Sequence, residues 1–247
     1  YLFLTLLAFS TYAQQTQQKP MRLWYDKPAT YFEEALVLGN GKQGATVFGG
    51  TKSDKIFLND LTLWSGEPVD PYMNKEAYKY LPAVREALQK ENYKAADSLV
   101  RKIQGKFSES YAPLGTLYVD FNHENPTEYR RELSLDKAVS TVHYHVGTNE
   151  IRKEYFFSHP DNVFVIHLTS REKKGLNFTV QFKSLLKYAT KSTINHLHAK
   201  GTAPVRADPN YVRKKGNPIM FDETKGTRFA SDILIQSADG KVVKTDS

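Results

Sequence analysis

The chain has 247 residues, 40% hydrophobic and 25% charged, which is ordinary globular usage and excludes a chain disordered throughout. Its formal net charge is +7, from 34 Lys and Arg against 27 Asp and Glu, but the basic residues are scattered rather than gathered in a stripe, which argues against a nucleic-acid surface. It has no cysteine, so disulfides, thiolate metal sites and cysteine nucleophiles are all excluded.

Residues 1–9 read YLFLTLLAF, and Ser10, Thr11, Tyr12 and Ala13 follow before a polar tail. A short apolar run with a small-residue exit is the pattern of the second half of a secretory signal peptide, cleaved near Ala13. The expectation is therefore a partial signal peptide over 1–13 and a polar linker over 14–20. The product would be exported, periplasmic or secreted. The run is far short of the ~20 apolar residues that a membrane helix needs, and no membrane span is expected.

Residues 21–72 mix short apolar runs with glycine. GNGKQGATVFGG holds Gly39, Gly41, Gly44, Gly49 and Gly50. The offsets do not match a phosphate-cradling loop, and the strand-like ATVF follows instead of a helix, so these read as turn glycines. TVFGG and KIFLND read as strands on either side of a turn at Thr51–Asp54. Over 74–104 the period changes. Ala77, Tyr80, Leu81, Val84 and Leu88, then Ala95, Ala96, Leu99, Val100 and Ile103, recur at three- and four-residue steps, which predicts an amphipathic helical excursion. Asn74 is a candidate N-cap, Pro82 fits a first turn, and Glu91 and Asn92 interrupt two helices.

From Tyr111 onward the pattern is β. Leu117, Val119 and Phe121 alternate, as do Val142, Tyr144 and Val146, with His143 and His145 on the opposite face. Asn149 falls in a hairpin turn after Gly147, and Ala238-Asp239-Gly240 reads as another hairpin. Thr190–Asn217 has few apolar residues and reads as a long loop. The strand spacing predicts a mainly β fold, a large β-sandwich with a short helical insertion. The last residues read as the start of a returning hairpin, so the expectation is a domain that continues past Ser247.

Several residue groups could carry chemistry. His143 with His145, and His196 with His198, are i, i+2 pairs that a strand points to one side; a metal would need a third ligand, and surface histidines on strands are common. No metal and no cofactor is assigned. Glu33, Glu34, Asp60, Glu67 and Asp70 lie near the glycines, and paired carboxylates are what glycoside hydrolysis requires, but spacing alone leaves them as turn and edge carboxylates. No GxSxG elbow is present. Trp64, in LTLWSGEP, is on or near a loop. It reads either as an exposed face for stacking on a sugar ring or as a buried anchor.

LWYDKPATYFEEALVLGNGKQGATVFGG, IFLNDLTLWSGEP, the helical pair, YAPLGTLYVDF, YRRELSLDKAV, EYFFSHPDNVFVIHL and KGTRFASDILIQSADG occur in that order. Together they resemble the N-terminal domain of glycoside hydrolase family 95, the alpha-L-fucosidases and related alpha-L-galactosidases. The resemblance covers about residues 21–243. It implies a sandwich of the super-sandwich type over 21–247, placed before an (α/α)6 barrel that holds the general acid and base and hydrolyses with inversion. On that reading no catalytic residue lies in this chain. Its partners are the downstream barrel and, through the full-length enzyme, a fucosylated oligosaccharide or polysaccharide. The Asn59–Gly66 loop would form one wall of the cleft, with Trp64, Asp60 and Asn59 as substrate-binding residues. The alternatives are a stand-alone carbohydrate-binding or interaction module and a basic polyanion binder.

Overall fold

A computed structural model describes residues 20–105, 109–211 and 216–244. The leader and most of the linker expected over 1–20 lie outside the described residues. The strands run β1 (Arg22–Tyr25), β2 (Leu36–Gly39), β3 (Gln43–Val47), β4 (Ser53–Asp60), β5 (Gly115–Asp120), β6 (Thr127–Ser134), β7 (Val139–Val146) and β8 (Asn149–Ser158). They continue with β9 (Val163–Ser170), β10 (Thr179–Lys183), β11 (Lys187–Ser192), β12 (His196–Thr202), β13 (Arg206–Ala207), β14 (Ile219–Met220) and β15 (Arg228–Leu234). Two helices, α1 (Leu81–Gln89) and α2 (Tyr93–Val100), sit between β4 and β5.

Two five-stranded antiparallel sheets face each other, ordered β1-β6-β7-β8-β9 and β10-β5-β4-β3-β2. Alternation decides which side chains meet between them. Leu36, Leu38, Ala45, Val47, Ile56, Leu117 and Val119 come from the second sheet; Leu133, Val142, Tyr144, Ile151 and Tyr155 come from the first. All are buried in one core. The fold is the expected mainly β sandwich with a helical insertion. A third sheet, β11-β12-β15, occupies much of the segment read as a loop over 190–217. The low apolar content there reflects strands with a solvated face, as in β11, where Lys187, Ala189 and Lys191 share one face and are all exposed.

The insertion follows its local rules, with one change. Pro82 lies in the first turn of α1, and Asn92 caps α2 by accepting from the Ala95 N–H at 3.1 Å. Asn74 is not an N-cap. Its amide donates to the carbonyls of Lys102 (3.0 Å) and Gln104 (2.8 Å), tying the start of the excursion to its end. The turn after β7 is Gly147-Thr148, with Asn149 already paired to Val146 as the first residue of β8. Ala238-Asp239-Gly240 makes a bend without a described strand on its far side.

A closed knot of polar groups lies inside the sandwich. Asp54 and Lys153 are almost wholly buried, on β4 and β8. Asp54 Oδ1 accepts from the N–H groups of Gly49 (2.9 Å) and Gly50 (3.1 Å); Oδ2 accepts from Lys153 Nζ (3.1 Å) and the Tyr155 hydroxyl. That fills all of the carboxylate's acceptor sites. Lys153 Nζ also donates to the Gly50 carbonyl (2.6 Å) and lies 4.5 Å from the Phe121 ring centroid. Burial pushes the Lys153 ammonium's pKa down against the pull of Asp54, and burial with Asp54 beside it pushes the Tyr155 phenol up, so Tyr155 stays a donor. Gly49, at φ +75°, has no room for a side chain, because a Cβ there would lie 2.7 Å from the Tyr129 hydroxyl.

Candidate functional site

β4 ends at Asn59 and Asp60, and the chain then loops to Gly66 at one end of the second sheet. Apolar burial and main-chain pairing fix this loop. Leu63 is buried with Ala112, Leu186 and Ala203, and its carbonyl accepts from the Ala112 N–H at 3.0 Å. Trp64 and Tyr111 form an isolated antiparallel bridge. The Ser65 N–H donates to the Ser110 carbonyl (2.8 Å), and Ser65 Oγ accepts from the Ser110 N–H and donates to Glu109 Oε2, both at 2.9 Å. The Gly66 N–H donates to the Pro204 carbonyl at 2.8 Å. Gly66 has φ +82°, and a Cβ there would lie 2.3 Å from Glu109 Cδ.

Against this backing the three expected site residues take different parts. Trp64 is 43% exposed. Its indole N–H donates to the Leu61 carbonyl at 2.9 Å, and its ring stands edge-on to Tyr111 with centroids 5.7 Å apart. Such a pair contributes about 0.5–1.5 kcal/mol. Trp64 is thus neither fully buried nor free: its N–H is anchored and the side chain is partly exposed. Asp60 is committed to the loop, accepting at Oδ1 from the Thr62 N–H (2.9 Å) and Oγ1 (2.5 Å) as an Asx turn. Asn59 is half-buried on the outer face of the second sheet, its side chain lying over Gly44.

Of the other carboxylates, Glu34, Asp70 and Glu67 are occupied in ordinary ways. Glu34 accepts from the Thr30 N–H (2.8 Å) and Oγ1 (2.9 Å), which hold its pKa below the usual carboxylate value. Asp70 accepts from the Tyr72 N–H at 2.9 Å, and Glu67 pairs with Lys225 at 3.4 Å. Glu86, Glu150, Glu154 and Asp222 are also displaced downward, chiefly by side-chain hydrogen bonds. A general acid for glycoside hydrolysis needs the opposite displacement.

Sequence reasoning missed the backing residues Glu109, Ser110, Tyr111 and Pro204, because main-chain pairing across 45 or more positions leaves no local pattern. It found both histidine pairs but not the carboxylates beside them. His143 and His145 lie with Glu150, and His196 and His198 lie with Asp232; within each trio the ligand atoms are all within 4.8 Å of one another.

Comparison with known proteins agrees with this architecture. The family model for the glycosyl hydrolase family 65 N-terminal domain matches residues 23–247. The chain is 33% identical over 239 residues to alpha-L-fucosidase 2 of Arabidopsis thaliana, covering 94% of this chain and 28% of that protein. It is 33% identical over 162 residues to the probable alpha-fucosidase A of Aspergillus niger, and 26% identical over 155 residues to that of Aspergillus oryzae. Those two matches cover 60% of this chain and 20% and 21% of the fungal proteins. The chain thus spans about a quarter of the length of the curated relatives it matches. With its two facing sheets and its match from residue 23 to residue 247, the chain belongs to the glycosyl hydrolase family 65 N-terminal domain family.

Proposed function

We propose that residues 21–247 are the N-terminal, non-catalytic domain of an exported glycoside hydrolase of the family 95 type. The whole enzyme would hydrolyse alpha-L-fucosyl or related linkages, with inversion, through a barrel that follows in the chain. One observation carries this reading: 94% of the chain aligns with a protein named alpha-L-fucosidase 2 while covering only 28% of it. The apolar run at residues 1–9 supports export. Inversion calls for two carboxyl groups about 6.5–9.5 Å apart, one with a raised pKa. The engaged, downward-displaced carboxylates described above are poor candidates, which supports placing the chemistry elsewhere in the chain.

On this reading the Asn59–Gly66 loop is a wall of the substrate cleft. Trp64 offers its partly exposed side chain to a sugar face, Asp60 holds the loop's shape, and Asn59 offers an amide. The substrate is a fucosylated oligosaccharide or polysaccharide, with neither nucleic acid nor a membrane span involved. Full-length protein should release fucose from an aryl alpha-L-fucoside, with the β-anomer appearing first by NMR. The 247-residue chain alone should show no turnover; turnover by the pure chain would refute this placement of the chemistry. Trp64→Ala in the full-length enzyme should lower kcat/KM about tenfold, or ~1.4 kcal/mol. Unchanged kinetics with a lower Tm would reduce Trp64 to an anchor.

A further inference from the structure

The outer face of the first sheet carries a cluster that the hydrolase reading does not use. His143 and His145 share one face of β7. The two-residue turn that follows sets the register so that His145 pairs with Glu150 on β8. His143 Nε2 lies 2.9 Å from Glu150 Oε1. On the other side, the register of β6 slips between Thr127 and Arg130. Within this bulge Glu128 takes φ +54°, a left-handed conformation that is unusual for a side-chain-bearing residue. Bulges re-aim side chains, and this one brings Glu128 Oε2 to 3.3 Å from His145 Nδ1. That nitrogen is buried and has no hydrogen-bond partner among the described residues.

Two imidazoles and one carboxylate therefore converge from β7 and β8, with ligand atoms all within 4.8 Å of one another, and the Glu128 carboxylate of β6 stands beside His145. Neighbouring arginines are largely neutralised, since Arg130 pairs with Glu132 at 2.9 Å and Arg152 with Glu154 at 2.8 Å. With neutral imidazoles, Glu150 and the neighbouring Glu128 bring two negative charges to this face. Tetrahedral coordination with metal–ligand bonds of about 2.0–2.1 Å sets ligand atoms roughly 3.3 Å apart. The ligand atoms of His143, His145 and Glu150 lie within 4.8 Å of one another, and the 2.9 Å His143–Glu150 contact must open by a few tenths of an ångström as an ion replaces its shared proton. Imidazole with carboxylate suits zinc-class ions better than magnesium or calcium.

We propose that His143, His145 and Glu150 bind one divalent transition-metal ion of the zinc class, clipping β7 and β8 together on the outside of the sandwich, with the Glu128 carboxylate adding negative charge beside His145. The second histidine pair provides a control. His196 and His198 place both Nδ1 atoms at 3.5 and 3.3 Å from a single Asp232 oxygen, on a different sheet.

Chelator-treated full-length protein titrated with zinc chloride in a calorimeter should take up one equivalent at this site. His145→Ala and Glu150→Gln should each weaken uptake by at least about tenfold. Glu128→Gln, at a well-exposed side chain, should weaken it without disturbing the far-UV circular dichroism. A His196→Ala, His198→Ala double variant should bind as the parent does. Zinc should raise Tm in the parent and not in His145→Ala. Three results would overturn the assignment: no zinc uptake, uptake unchanged in His145→Ala and Glu150→Gln, or uptake lost in the double variant.

Discussion

Two polar clusters sit on opposite faces of the same sheet and are finished differently. Around Asp54, every acceptor of the carboxylate and every donor of Lys153 has a partner inside the protein. Around His145, one buried nitrogen has no hydrogen-bond partner among the described residues, and a carboxylate is held near it by a strained bulge. Residues of one strand contribute to both, because alternation sends Lys153 inward and Glu150 and Arg152 outward along β8. The contrast teaches where to look for function. A closed charge cluster in a core maintains shape, whereas an open one at a surface has capacity left for a ligand.

Breaking the closed cluster should have the largest effect. Asp54→Ala strands a buried ammonium, a phenol and two main-chain N–H groups at once. Unfolding by urea should show a loss of about 3–5 kcal/mol. The double change Asp54→Leu, Lys153→Met removes both charges together and should be milder than Asp54→Ala alone. A single-variant loss below about 1 kcal/mol would mean that the cluster does not clamp the two sheets.

The loop behind Trp64 lies between these extremes, since its backing is closed and its tip is open. Gly66→Ala meets both an adverse φ and the Glu109 side chain, and should cost about 1–3 kcal/mol. Gly147→Ala is the matching control. Its φ is +60° with nothing within 4 Å, so only the left-handed penalty of about 1–2 kcal/mol applies. Gly66→Ala should also lower kcat/KM of the full-length enzyme if Ser65 and Trp64 shift, while Gly147→Ala should not. Equal stability losses and equal kinetics for the two variants would deny the loop any special fit.

Much of the sandwich was legible because period-two alternation records which face is buried. Leu117, Val119 and Phe121, and Val142 and Tyr144, fall in the core as their spacing says. The strands of 187–202 were hidden because they have a solvated face. The inward Asp54 and Lys153 were hidden because charge in a strand reads as surface until its partner, 99 residues away, is known. Trp64 was visible as a loop aromatic, but the Tyr111 edge that holds it is not local. Glu150 was nearly legible. Reading Gly147-Thr148 as the two-residue turn sets His145 opposite Glu150, whereas Glu128 needed the bulge, which no residue pattern announces.

The smallest expected effect concerns the rim of the closed cluster. His123 accepts at Nδ1 from the Tyr144 hydroxyl at 2.9 Å. Burial, and then Asp54, push the Tyr144 phenol's pKa up, so it donates, and the neutral imidazole carries its proton on Nε2. Burial first, and Lys153 second, push the His123 pKa below its ordinary 6.5. The unfolded chain therefore binds a proton near that pH while the folded chain does not. Stability must fall as pH drops from about 7 toward 5, and the contribution is complete once the folded imidazole also titrates. His123→Gln keeps an acceptor for Tyr144 and removes the titration, so its stability should vary less with pH across that window. An unchanged slope would show that His123 titrates alike in both states, and that the cluster's closure ends at Tyr144.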